Sequence, residues 1–373
     1  MTFARALIVG AAAVLAAAGL IRPAVAAPRA GATAHATADP QGLSIRGTPI
    51  FPVMLIDQCT AADVARARTL GVTLIVEESC PAFSASSQLA MIGAQTLAIL
   101  PIAGRQGSGS GLAGWTYPDE PEGNGWTPAT LAAGHPYPRG SNDGLIGLMT
   151  TGGGFFAAPY RDPTIPESAY AGFARMADFA GFDLYPLGHC QSNLSPVYAA
   201  QRAFAALAGP TPTFQWIETG PIQPAYCGGF TMLPTELSAE VWLAIAGGAR
   251  GIGYFTHTWS PQEQAFDVTP SIQHEMVRID GLLAAVRPGL VGLTTPSVAD
   301  SPAIKLIARS GGGRTYVFAV NSHRAPIKAK LRVPALRNGR LTVFGERRSL
   351  LVSHGYATDS FAPLAVHIYV QKA

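Results

Sequence analysis

Short runs of β-branched and aromatic residues alternate with stretches of helical spacing from about residue 52 to residue 286. Pro52 to Ile56, Val72 to Val76, Thr96 to Ile102, Leu112 to Tyr117, Gly144 to Thr150, Phe182 to Tyr185, Thr213 to Ile217 and Gly251 to Thr256 read as eight buried strands. Helices are predicted over Ala61 to Leu70, Ser84 to Gly93, Ser168 to Phe179, Ser195 to Leu207, Glu236 to Ala249 and Ser271 to Val286. Thr127 and Pro128 open a shorter one. Thr60 stands at the N-cap of the first helix, with Asp63 in the first turn, where a carboxylate complements the helix dipole. Gly152-Gly153-Gly154 reads as a flexible exit from the fifth strand. Eight strands interleaved with helices predict a parallel (β/α)8 TIM barrel. A doubly wound sheet is the alternative, but no G-x-G-x-x-G follows the first strand.

From about Ser297 the pattern changes to short alternating runs: Ile304 to Arg309, Thr315 to Val320, Ile327 to Val333, Leu341 to Phe344 and Leu364 to Val370. Turn residues such as Asn338-Gly339 separate them, so a small antiparallel β-sandwich is expected over 297–373, behind a barrel over 42–296. Leu43 to Leu55 reads as a hairpin leading into the first strand. Residues 27–41, rich in Ala, Thr, Pro and Gly, read as a flexible lead-in.

Residues 1–26 have the form of a secretory signal: Arg5, an apolar run from Ala6 to Leu20, and Ala24-Val25-Ala26 as a small-x-small cleavage site. The apolar run is shorter than the roughly 20 residues of a membrane span, which leaves an uncleaved anchor as the competing reading. A secreted or periplasmic location follows. Charged residues make up only 13% of the chain and the formal charge is +3, which gives no footprint for nucleic acid. Cys59, Cys80, Cys190 and Cys227 are then an even set in an oxidising compartment. Cys59 and Cys80 follow neighbouring strands one and two, and Cys190 and Cys227 follow neighbouring strands six and seven, so the expected bridges are Cys59 to Cys80 and Cys190 to Cys227. No motif asks for a metal or an organic cofactor.

The chemistry is expected at two acids. Strand four runs through Trp115 and Tyr117 into Asp119-Glu120-Pro121, and strand seven ends Gln215-Trp216-Ile217-Glu218. Glycosidic cleavage needs one carboxyl to protonate the leaving oxygen and another to attack the sugar carbon or activate water. Asp119-Glu120-Pro121 and Glu218 resemble the motifs of clan A of the glycoside hydrolases, whose barrels carry Asn-Glu-Pro on strand four and the nucleophile on strand seven. That resemblance implies a retaining glycosidase acting on an oligosaccharide or polysaccharide, with Glu120 as acid/base and Glu218 as nucleophile. Asp119 departs from the clan's Asn: an ionised carboxylate accepts from a sugar hydroxyl but cannot donate to it. Substrate contacts are expected from Asp119, Tyr185, Trp259, His257, His189, Trp216 and Glu77. Asp183 shares a strand face with Tyr185 and is a minor candidate for a direct role. A sugar-binding protein without catalysis, on the same scaffold, is the alternative.

Overall fold

The computed structural model describes residues 35–77, 80, 85–92, 96–102, 111–137, 144–221, 230–260 and 263–373. Three short antiparallel strands come first: β1 (Ala36–Asp39), β2 (Gly42–Ile45) and β3 (Thr48–Ile50). Eight parallel strands follow: β4 (Val53–Ile56), β5 (Leu74–Val76), β6 (Leu97–Pro101), β7 (Leu112–Thr116), β8 (Ile146–Thr151), β9 (Phe179–Asp183), β10 (Thr213–Glu218) and β11 (Ile252–Phe255). They pair in chain order, and β11 pairs with β4 to close the barrel. The connecting helices are α1 (Ala61–Thr69), α2 (Ala85–Ile92), α3 (Pro128–Gly134), α4 (Glu167–Met176), α5 (Ser195–Ala208), α6 (Pro234–Gly247) and α7 (Pro270–Ala285). The caps expected for α1 and α3 are present: Thr60 and Asp63 bond reciprocally, as do Thr127 and Thr130.

Strand alternation divides the core into two layers. Met54, Ile56, Leu74, Val76, Ile99, Ile146, Leu148, Phe179, Phe214 and Trp216 fill the lumen as one cluster. Val53, Leu55, Ile75, Leu100, Met149, Phe182, Ile217 and Tyr254 pack with the helices as another. Phe214 lies 4.9 Å from Phe179 and 5.7 Å from Trp216 between ring centroids. These rings fit because their neighbours lack side chains: a Cβ on Gly181 would stand 2.2 Å from Phe214 Cε2, and one on Gly253 2.1 Å from Trp216 Cε3.

The lead-in expected over 27–41 has to be corrected at its C-terminal end, because residues 36–39 are strand β1. Ala36, Leu43 and Ile45 join the lumen cluster, and the Ala36 N–H donates to Gly144 O, so this sheet plugs the N-terminal end of the barrel. Burying those three side chains outweighs the polar, turn-rich composition around them. Strand six also shifts. It occupies Phe179–Asp183 rather than Phe182 to Tyr185, because α4 stops at Met176.

Beyond α7, a short helix α8 (Arg287–Leu290) leads into two antiparallel sheets, one of six strands and one of three. The sandwich packs against α6: Trp242 stacks on Phe318 at 5.5 Å. The fully buried Arg309 donates to Leu290 O and Ala249 O at 2.5 and 2.9 Å. Arg324 pairs with Glu236 at 2.5 Å.

Replacing Gly253 by Ala is expected to lower stability by about 1–3 kcal/mol through overpacking against Trp216. Chemical denaturation measures this, and an unchanged midpoint would contradict the packing described.

Candidate active site at the C-terminal mouth of the barrel

In a closed parallel barrel the strand C-termini converge on one rim, and the loops that leave them carry the site. At the end of β7 the chain turns through Pro118 and Asp119 to Glu120, which adopts φ +40°. A left-handed conformation costs a residue with a Cβ about 1–2 kcal/mol and persists only where its surroundings enforce it. Asn124 does so here, its side-chain amide donating to the carbonyls of Asp119 and Glu120 at 3.0 and 3.2 Å. Asp119 is exposed, Glu120 is half-buried and Glu122 is buried.

Gly152, just past β8, brings the two glutamates together. Its N–H donates to Glu122 Oε1, and a Cβ on it would lie 3.0 Å from Glu120 Oε1 and 3.1 Å from Glu122 Oε1. The triple glycine read as a flexible exit is, at this position, a close approach between backbone and two carboxyls. Burial pushes Glu120 above the ordinary carboxylate value. Burial, reinforced by the charges of Glu120 and Asp119, pushes Glu122 to about 8 against two backbone hydrogen bonds.

Asp183 ends β9 on the same face as Phe179 and Gly181, which is the lumen face. It is half-buried, and it accepts a hydrogen bond from the Tyr185 hydroxyl. Burial first, then the charges of Asp119 and Glu120, raise its pKa well above the ordinary value, and the Tyr185 hydrogen bond pulls the other way. Tyr185 lies 5.7 Å from Phe255 at the end of β11, which gives the mouth an apolar wall.

Glu218 sits in a different setting. Its side chain is fully buried, and its two oxygens accept the Leu187 N–H at 2.8 Å and the Gly188 N–H at 2.7 Å. It also shares a hydrogen bond with the fully buried Glu240 of α6. Burial raises Glu218 to about 7, held back by the two amides and by Glu240. Burial and the charge of Glu218 raise Glu240 well above its ordinary value, and their shared hydrogen bond raises Glu240 while lowering Glu218.

The remaining expected contacts are dispersed. Trp216 is buried in the lumen with Nε1 donating to Thr150 Oγ1 at 3.1 Å, which leaves it no face for a sugar. His189 is exposed beside Tyr160, with Nδ1 2.9 Å from Tyr185 O. His257 is buried, near the charges of Asp63 and Arg66, and burial lowers its pKa. Trp259 lies on β12 (His257–Ser260), which pairs with β13 (Glu263–Phe266) beyond the barrel. Glu77 is fully buried at the end of β5, accepts from Gln58 N at 3.2 Å, and is raised to about 8 by burial and then by Asp57.

The Cys59–Cys80 disulfide is present as expected. Cys190 is also disulfide-bonded, while Cys227 lies outside the described residues. Among the described residues, the group spaced to hold a metal is Cys59, Glu77 and Cys80. Its two sulfurs are joined to each other and offer no thiolate.

Sequence reasoning passed over Glu122 and Glu240 and ranked Asp183 low. The signal for Glu122 is the Asp-Glu-Pro-Glu spacing, and for Glu240 a single acid inside the apolar run from Ala239 to Ala246. Asp183 was visible only through its shared face with Tyr185.

No protein-family model and no curated protein sequence matches the chain. Among solved structures the fold is similar to a protein described as a glycoside hydrolase, at 10% identity and a TM-score of 0.54, over 90% of this chain and 96% of the other. It is similar to a catalytic mutant of a GH42 beta-galactosidase from G. stearothermophilus, at 8% identity and 0.54, over 87% and 98%. The alpha-amylase from Geobacillus thermoleovorans, complexed with acarbose, gives 9% identity and 0.52, over 86% and 98%. These neighbours are glycoside hydrolases, and at such identities the likeness establishes the shared barrel fold.

Glu77, Glu122 and Glu218 have folded-state pKa values of about 8, 8 and 7, raised from 4.5. Between pH 4.5 and about 8 the folded chain therefore keeps protons that the unfolded chain has lost, and stability falls as pH rises. Melting temperatures across that window should decline in the wild type and decline less steeply in Glu122→Gln; equal slopes would contradict the burial of that carboxyl.

Proposed function

We propose that this protein is a glycoside hydrolase that binds an oligosaccharide or polysaccharide at the C-terminal mouth of its barrel and cleaves it with carboxyl groups set there. The observation that carries the proposal is Glu120, held at a positive φ by Asn124, half-buried and pushed toward its protonated form. A carboxyl whose burial favours its protonated form is what protonation of a glycosidic oxygen requires. Glu120 is the general acid. Once it has delivered its proton it becomes the base that activates water. The Tyr185 and Phe255 rings supply an apolar surface for a sugar face. The similarity in fold to the amylase complexed with acarbose is in keeping with a sugar ligand.

The clan resemblance assigns the nucleophile to Glu218 and implies retention of configuration. For Glu218 to act so, the Leu187–Gly188 amides that cover it must withdraw. The same cover favours the second reading, a sugar-binding barrel without turnover. Export follows from the signal-like N-terminus, and the Cys59–Cys80 bridge supports it, since such bridges persist in oxidising compartments.

A panel of aryl glycosides and polysaccharides tests the proposal. The wild type should hydrolyse at least one, and Glu120→Gln should lose about 10²–10⁴-fold in kcat on substrates with a poor leaving group. A substrate bound tightly by both proteins and turned over by neither would establish the second reading.

A further inference from the structure

We propose that Asp183, at the end of β9, is the nucleophile that works opposite Glu120, and that Glu218 anchors the loop beside it. The assignment rests on the glycosidase reading above and changes which side chain forms the bond to sugar. Three observations carry it.

The first is direction. Gly181 faces the lumen, since a Cβ there would meet the Phe214 ring, and Asp183 lies two residues on along the same strand. Its side chain therefore rises from the lumen face into the mouth. The second is access. Asp183 is half-buried, as is Glu120, whereas Glu218 has no exposed surface. The third is the use made of the oxygens. Glu218 spends both on backbone amides of Leu187 and Gly188 and adds a bond to Glu240, so attack through either would first strip a buried N–H of its acceptor. Asp183 has one described partner, the Tyr185 hydroxyl on Oδ1. That donor holds one oxygen in place and offsets part of the rise that burial and the charges of Asp119 and Glu120 impose.

The charges divide the same way. Asp119, Glu120 and Glu122 act on Asp183, while Glu236 and Glu240 act on Glu218. Asp183 and Glu120 therefore belong to one group of interacting acids.

In the first step an Asp183 oxygen attacks the anomeric carbon. The bond from that carbon to the leaving oxygen breaks, and its electron pair stays with the leaving oxygen, which takes the proton of Glu120. In the second step the Glu120 carboxylate takes a proton from water, whose oxygen attacks the same carbon. The ester bond breaks and its electron pair returns to Asp183, so the enzyme is restored and configuration is retained. Glu218, through the Leu187 and Gly188 amides and its hydrogen bond with Glu240, ties the start of the β9–α5 connection to β10 and to α6.

The test uses the full protein with 2,4-dinitrophenyl glycosides of glucose, galactose, mannose and xylose in both anomers. This leaving group needs no acid, so the readout isolates the nucleophile. Asp183→Ala should lose at least about a thousandfold in kcat, and azide should restore turnover with a glycosyl azide of inverted configuration as product. Asp183→Asn, closer in shape, should be equally slow and not rescued. Glu218→Gln should melt earlier than the wild type, and azide should not restore turnover to Glu218→Ala. Wild-type turnover in Asp183→Asn, or azide rescue of Glu218→Ala in place of Asp183→Ala, would overturn this assignment and leave the glycosidase reading standing. A wild type that turns over none of these substrates or the polysaccharides would overturn the glycosidase reading and this assignment with it.

Discussion

The packing of two large rings against two bare backbone positions sets the geometry of this protein. Phe214 and Trp216 occupy space that side chains at Gly181 and Gly253 would otherwise fill, and this lets eight strands close around an aromatic core. Closure fixes the register of β9, β10 and β11, and with it the height and direction of whatever residue ends each strand. Trp216 is pinned further by its bond to Thr150 across the lumen. The acids at the rim inherit their positions from this core, and the three-strand plug of residues 36–50 seals it from below.

Above that core, the same residue type behaves in two ways according to its partners. Glu218 accepts from two amides and shares a hydrogen bond with Glu240, and burial moves it only to about 7. Glu122, also buried, has acids for neighbours and moves to about 8. Asp183 and Glu120 are more open than either, half-covered and in one group of interacting acids, which is the setting in which one carboxyl holds a proton while another stays ionised. A barrel mouth lined in this way favours chemistry that needs an acid and a base within reach of one carbon.

The sequence was most legible where one face of an element is buried. Strand order, the helix caps at Thr60 and Thr127 and the Cys59–Cys80 bridge all follow from local pattern and neighbour order, and all are present. It was least legible where long-range burial decides. Residues 36–39 look like linker and become a strand because the open end of the lumen needs covering. Trp216 looks like a sugar platform at a strand end and is a core residue, because the lumen takes large rings only where the facing residue is glycine. Glu218 carries the spacing of a catalytic acid, but no local pattern could show that the loop at Leu187–Gly188 and a helix residue 22 positions on would enclose it. The two acids that the resemblance to clan A singles out lie just past β7 and at the end of β10, and burial separates them, Glu120 half-buried and Glu218 fully buried.

The most direct measurement is to incubate the wild type with activated 2-deoxy-2-fluoroglycosides, which form the covalent ester and hydrolyse it slowly, and to locate the added mass by peptide mapping. The account predicts one sugar per chain, on the peptide that contains Asp183. A label on Glu218, or steady hydrolysis of the parent glycoside with no label on any mouth acid, would contradict it.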